Sequence, residues 1–282
     1  MEHTQEPFKI ASLYNGTIQV KFSKGNHRYY VNGSPAPYSV SGILKVLGKG
    51  DALINWMVNQ AVLEQSSRIL GALKAGTVID DIFIAGLKEI SKKKSEKIRD
   101  EAADEGTKVH ELLEQWIIAE LKKSDNGIFV VTTESIKDLH AIMNGKPEAL
   151  HMSMQQFGNW LIAKEAGFTG SEKIVYSKKY EYPGMIDSTL ITKLSQKGRR
   201  NHVSDFKIRG GVYEETRLQL AAYQQADQEE SGAKYDSRIV FRFGRKDGTF
   251  TGDFEAIEWE NFKVDFKAFE NCLQLTQWKK TL

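Results

Sequence analysis

The sequence predicts an α+β fold in which a β-rich N-terminus and a mostly helical first half precede a β-β-β-α-β-β-α unit. Three observations predict it: two Asn-Gly pairs within an alternating N-terminal stretch, apolar residues at helical spacing through the middle, and a switch to a two-residue period from Gly170. Taken in order, residues 8–35 alternate as strands do, with Ile18, Val20 and Phe22 against Gln19 and Lys21. Asn15-Gly16 and Asn32-Gly33 supply turns that accept positive φ, so residues 1–38 read as a β-hairpin region. Beyond Pro35 and Pro37, Ser39 or Ser41 can cap a short helix through Val46. Asp51 can cap a longer one carrying Ile54, Trp56, Met57, Ala61 and Leu63.

Helical spacing continues to about residue 165, broken near Gly76, at Asn126-Gly127 and at Gly145-Lys146-Pro147, which defines a helical region over 39–168. Its strongest segment is 95–123, where Ile98, Ala102, Val109, Leu112, Leu113, Trp116 and Ile117 recur on one face. Strands are expected over 171–180, 184–192 and 202–208, joined by Pro183-Gly184 and by a polar loop over 195–201. A helix over 214–230, strands over 237–242 and 251–257, and a closing helix marked by Phe262, Phe266, Phe269, Leu273 and Trp278 complete the C-terminal segment, 169–282.

Composition narrows the function before any motif is read. With 39 Lys+Arg against 37 Asp+Glu, a nucleic-acid partner would require local clustering of bases, not an overall excess. The lone Cys272 excludes a disulfide framework within the chain and any site built from several cysteines. No GxxxxGK[ST] occurs, which removes the common ATP-binding loop, and no GxSxG supports a hydrolase nucleophile. The first residues carry neither a basic n-region nor a long apolar run, and no apolar stretch nears about 18 residues. A cytoplasmic chain without membrane contact is the resulting expectation.

Chemistry concentrates around Asp187 and Asp205. In a hairpin turning near residue 196 these two fall opposite or nearly opposite one another. Carboxylates opposed at about 5 Å repel, and a cation between them relieves the repulsion. Lys207, two residues beyond Asp205, shares its face, so two acids and an ammonium converge. The acid-x-Lys spacing alone carries no weight: Glu120-Leu121-Lys122 and Asp265-Phe266-Lys267 show it too, about as often as chance placement gives. Strand context distinguishes Asp205, although a plain Lys207–Asp187 salt bridge would fit the same letters. Gln219 and Tyr223 share a helix face, as do Gly106 and His110, where the missing side chain of Gly106 leaves room beside the imidazole.

In order, Gly106-Thr107-Lys108-Val109-His110, Gly184-Met185-Ile186-Asp187, Asp205-Phe206-Lys207 and Gln219-Leu220-Ala221-Ala222-Tyr223 resemble the RecB-type branch of the PD-(D/E)xK nuclease superfamily. The stretch from Pro37 to Leu44 and Leu53-Ile54-Asn55-Trp56 also look like the N-terminal region of phage-encoded exonucleases, themselves similar to the mitochondrial genome maintenance exonuclease. The resemblance implies a restriction-endonuclease-like core, a mixed central sheet flanked by helices, over 169–282, with a helical arch before it. It implies His110, Asp187, Asp205 and the backbone carbonyl of Phe206 as ligands of Mg²⁺ or Mn²⁺, with no ATP. Lys207 would orient the attacking water, Gln219 and Tyr223 would support the site and the scissile strand, and Glu172 falls near where some relatives carry another acid. The four cluster-binding cysteines of some relatives are missing, so an iron–sulfur cluster is not expected. The implied activity is DNA hydrolysis, an exonuclease working on single-stranded or frayed ends, with recombination or replication proteins as partners. A structure-specific endonuclease and a non-catalytic DNA-binding protein are the alternatives. Basic clusters at Lys92–Lys94 with Lys97, at Lys173, Lys178 and Lys179, at Lys197, Arg199 and Arg200, and at Arg209 could follow a phosphate backbone, and Trp56 or Tyr38 could stack on bases.

Overall fold

The computed structural model describes residues 8–48, 51–194, 198–208, 211–246 and 249–282. Arg209 and Lys197 lie outside the described residues. The fold is α+β, as the pattern predicts, with a six-stranded mixed sheet at its centre.

The N-terminal region is more than a hairpin. Strands β1 (Phe8–Leu13), β2 (Ile18–Ser23), β3 (Arg28–Val31) and β4 (Ser34–Pro35) form a four-stranded antiparallel meander. Both Asn-Gly turns form, Asn15 and Asn32 sitting at φ 55° and 49° before glycines at φ 85° and 83°. A further turn at 24–27, without an Asn-Gly signal, has His27 at φ 52° and returns the chain as β3. Ser39 then caps α1 (Val40–Leu44), accepting from the Gly42 amide.

Helix α2 (Asp51–Lys74) folds back through a short link onto α3 (Asp81–Lys123). Asp80 caps α3 through the Phe83 amide, so this helix starts upstream of residue 95 and runs 43 residues, about 65 Å at 1.5 Å per residue. Lys92–Lys94 therefore lie on the His110 helix itself and do not precede it. After β5 (Phe129–Val130), helices α4 (Thr133–Ile142) and α5 (Glu148–Ala163) lead into the main hairpins.

Strands β6 (Gly167–Ser177), β7 (Tyr182–Leu194), β8 (Gly198–Ile208), β9 (Ser237–Lys246) and β10 (Thr249–Trp259) join β5 in the order β10-β9-β8-β7-β6-β5. Pairing is antiparallel except for β8–β9, which α6 (Glu214–Ser231) connects as a parallel crossover. Pro183-Gly184 was expected in a turn but lies inside β7, opposite Tyr176 and Val175. The proline is tolerated because the β7–β8 ladder begins only at Ser188, so its missing N–H costs no bond there. Helix α7 (Phe262–Lys279) closes the chain.

Helices α3, α4 and α5 cover one face of the sheet, where Leu113, Trp116 and Phe157 meet Phe168, Phe206 and Phe241. Helices α1, α6 and α7 cover the other, where Ile43, Leu220 and Phe269 share a core with Val240 of β9. One hydrophobic core thus crosses the 168/169 segment boundary read from the sequence. No helix among the described residues is long and apolar enough to cross a membrane.

Candidate metal-binding cleft

The register of β7 and β8 runs from Leu194↔Gly198 to Ser188↔Ser204, and one further step brings Asp187 and Asp205 level. The ladders falter there. The β6–β7 register skips the Glu172/Asp187 position, where Glu172 takes φ 51° in the left-handed region. On the other side, Asp187 Oδ2 accepts the Phe206 amide at 2.9 Å, a side chain standing where a backbone carbonyl would pair. Amide and carbonyl of one strand residue point the same way, so the Phe206 carbonyl faces this gap while its ring stays in the core.

Helix α3 brings His110 onto that irregularity. His110 Nε2 lies 2.6 Å from Asp187 Oδ2, and Nδ1 lies 3.5 Å from Glu172 Oε1. Donor atoms of His110, Glu172 and Asp187 all fall within 4.8 Å of one another. Asp205 stands apart from that trio: Lys207 Nζ straddles its carboxylate at 2.7 and 2.5 Å. The ion pair is thus within one strand, and not the cross-strand Lys207–Asp187 bridge. Asp205 Oδ2 is buried and, despite that ion pair, has no directed hydrogen bond. The cleft holds about 520 Å³, with Lys9, His27, His110, Glu172, Asp187 and Lys207 among its lining residues.

The trio of donor atoms from His110, Glu172 and Asp187, with the buried Asp205 carboxylate beside Lys207, fits a divalent cation. Carboxylates suit Mg²⁺, and the imidazole admits Mn²⁺. The electrostatics agree. Burial raises the Asp205 carboxyl to about 6, with Lys207 opposing and Asp187 reinforcing. Burial, then Asp187 and Glu114, push Glu172 to about 7. For His110, burial favours the neutral ring, but the Asp187, Glu172 and Asp205 charges outweigh it and raise the imidazole to about 9. Asp187 is held low: burial acts upward, and His110, Lys207 and the Phe206 amide overcome it.

These shifts set a sign. A group whose folded pKa is raised contributes stability fully present below its unfolded value and lost as pH rises through the folded one. Asp205, Glu172 and His110 therefore destabilise the cation-free protein as pH climbs through about 6, 7 and 9. Asp187, the depressed group, has the opposite sign and loses its contribution only in acid. A divalent cation held there would take the place of the released protons. The thermal midpoint without divalent cation is expected to fall towards alkaline pH, and the rise produced by Mn²⁺ to be larger there than in mild acid. Equal Mn²⁺ shifts at both ends would remove the linkage.

The remaining motif residues sort by position. Gln219 Nε2 donates to the Tyr223 hydroxyl at 2.8 Å, and Tyr223 is buried beneath β7, outside the cleft. Its ring explains Gly184: an added Cβ would sit 2.5 Å from Tyr223 Cε1 and 3.2 Å from Val40 Cγ2. Gly184→Ala is expected to cost about 1–3 kcal/mol through overpacking, read as a lower urea midpoint. At Gly106 an added Cβ would meet only Ile208 Cβ at 3.9 Å, ordinary contact, so the room beside His110 does not require glycine.

Several proposed backbone-tracking bases are occupied elsewhere. Lys173 pairs with buried Asp227 at 2.5 Å, and Lys178 lies over the Tyr14 ring at 4.1 Å. Arg199 and Arg200 belong to β8 and not to a loop, and Arg200 pairs with Glu258 and Glu260 at 3.1 and 2.6 Å. Five strand residues, about 17 Å, separate it from Asp205. Tyr38 packs against the α6/α7 core with Lys280 over its ring at 4.0 Å. Sequence reasoning missed Lys9 and Glu114. Glu114 had a signal, since it follows His110 by four residues and shares its helix face.

The chain matches no family model and no curated protein.

Proposed function

We propose that this chain is a metal-dependent deoxyribonuclease with a restriction-endonuclease-like core, of the RecB-type branch of the PD-(D/E)xK superfamily. The observation that carries the reading is the convergence of His110 from α3, Asp187 from β7, and Asp205 with Lys207 from β8 at one interruption of the sheet. Four short motifs far apart in sequence meet there or brace it.

His110, Asp187, Asp205 and the Phe206 carbonyl would hold Mg²⁺ or Mn²⁺, with Glu172 within reach of the first two. When bound, the ion supplies Lewis-acid polarisation of a phosphoryl oxygen and a water of lowered pKa. Lys207 lines the cleft beside Asp205, where it can orient the attacking water and offset charge on the phosphate in the transition state. Asp187 and Glu172 hold the His110 ring between them and fix its orientation. Tyr223 and Gln219 brace β7 from behind, which keeps Asp187 in place without touching substrate. The products are a 5′-phosphate and a 3′-hydroxyl.

Exonuclease action on single-stranded or frayed DNA ends, in DNA recombination, replication or degradation, is the activity that the sequence resemblance to phage-encoded exonucleases supports. End-labelled linear DNA and a covalently closed single-stranded circle, each incubated with Mg²⁺ or Mn²⁺, test both levels. Degradation of linear DNA alone is expected. Efficient cutting of the circle would make the protein an endonuclease, and binding without cleavage of either would leave a DNA-binding protein.

A further inference from the structure

We infer that Lys9, on strand β1 of the N-terminal meander, is a positioning residue for the metal centre, holding Glu172 with one carboxylate oxygen turned towards His110. The inference rests on the metal-centre reading above and extends it to a sheet outside the six-stranded core. Lys9 Nζ lies 2.7 Å from Glu172 Oε2 and 2.5 Å from Glu114 Oε1. That grip occupies one Glu172 oxygen and leaves Oε1 facing His110 Nδ1 at 3.5 Å.

Three features make this more than a surface ion pair. First, the Glu172 side chain is only 8% exposed, and its backbone is fixed at φ 51°, so a change in its carboxylate partner has few alternatives to relax into. Second, Glu114 and Glu172 are two acids drawn to one ammonium, and without that charge they repel across the cleft. Third, the neighbouring lysine on β6, Lys173, is committed to Asp227 and does not substitute. The meander is itself anchored, packing Leu13, Val20 and Phe22 on Ile174 of β6, with Tyr176 and Met185 beside them. It also lends Phe22 and His27 to the cleft wall.

The experiment is Mn²⁺ binding by titration calorimetry, with the electron paramagnetic resonance spectrum of bound Mn²⁺ as a second readout. Lys9→Met is expected to weaken Mn²⁺ binding about 10–100-fold, the usual effect of losing a residue that orients a ligand. Lys9→Arg is expected to recover most of that loss. In a Glu172→Gln background, Lys9→Met should add nothing further, because Lys9 acts through Glu172. Thermal unfolding of the cation-free variants checks the fold, and Lys9→Gln replaces Lys9→Met in the comparison if the latter does not fold. Wild-type Mn²⁺ affinity in the neutral variant, or a full additional loss in the Glu172→Gln background, overturns the positioning role while leaving the metal centre intact. Absence of Mn²⁺ and Mg²⁺ binding by the unaltered protein overturns both.

Discussion

Asp187→Asn is expected to lower the proposed metal-dependent DNA hydrolysis by about 10²–10³-fold or more, while the protein stays folded. Asparagine matches the volume of aspartate, so packing at the sheet interruption is preserved and only charge and donor pattern change. One oxygen of Asp187 meets both His110 Nε2 at 2.6 Å and the Phe206 amide at 2.9 Å. An amide group cannot hold a cation as a carboxylate does: with its oxygen in that place it accepts both contacts without the charge, and with its nitrogen there it meets the Phe206 amide donor to donor. His110 loses the charge that chiefly raises it, so it should titrate closer to its ordinary range. Lys207→Met supplies the contrast. It removes the ammonium beside Asp205 but leaves the donor trio of His110, Glu172 and Asp187 in place. Hydrolysis should fall and Mn²⁺ binding persist. Hydrolysis at the wild-type rate by Asp187→Asn would overturn the site assignment, and loss of Mn²⁺ binding in Lys207→Met would show that the lysine serves the ion and not the reacting phosphate.

Phe157→Ala should destabilise the fold by about 3–5 kcal/mol, the range for deleting a buried aromatic ring. Phe157 of α5 is fully buried, with ring centroids 5.0 Å from Phe241, 5.4 Å from Phe243, 5.7 Å from Phe254 and 6.0 Å from Phe206. The surrounding rings belong to three adjacent strands, and a sheet cannot collapse into the cavity as a loop could. Phe206 is the link to chemistry, since its amide holds Asp187 and its ring also lies edge-on to His110 at 5.8 Å. Equilibrium urea unfolding measures the effect, and a loss under about 1 kcal/mol would mean that the packing between α5 and the sheet is not as described.

Much of this architecture was legible because its signals are local. The two-residue period after Gly170, the Asn-Gly turns and the capping serine act over a few residues, and each appears where the letters put it. Local signals also misled. Pro183-Gly184 has the letters of a turn, yet cross-strand pairing with Tyr176 and Val175 holds it in β7. Arg199 and Arg200 look like loop bases beside the site, but the strands extend past them and carry them to the far end of the hairpin. In the cleft, the near opposition of Asp187 and Asp205 and the shared face of Lys207 were readable from the strand period, whereas His110 and Glu172 were singled out as ligands only by the sequence resemblance. Lys9 was not readable at all.

By itself, the sequence determined the β-β-β-α-β-β-α order of the C-terminal segment, the level placement of Asp187 and Asp205, and the shared face of Gln219 and Tyr223, because strand and helix periods are set by backbone geometry. Only the tertiary structure decided which acids gather around His110, why Gly184 carries no side chain, and that an N-terminal lysine reaches the cleft. Those contacts join residues 77, 105 and 163 positions apart. No local period encodes such a separation; they arise when hydrophobic burial docks α3 and the meander onto the same interruption within the sheet.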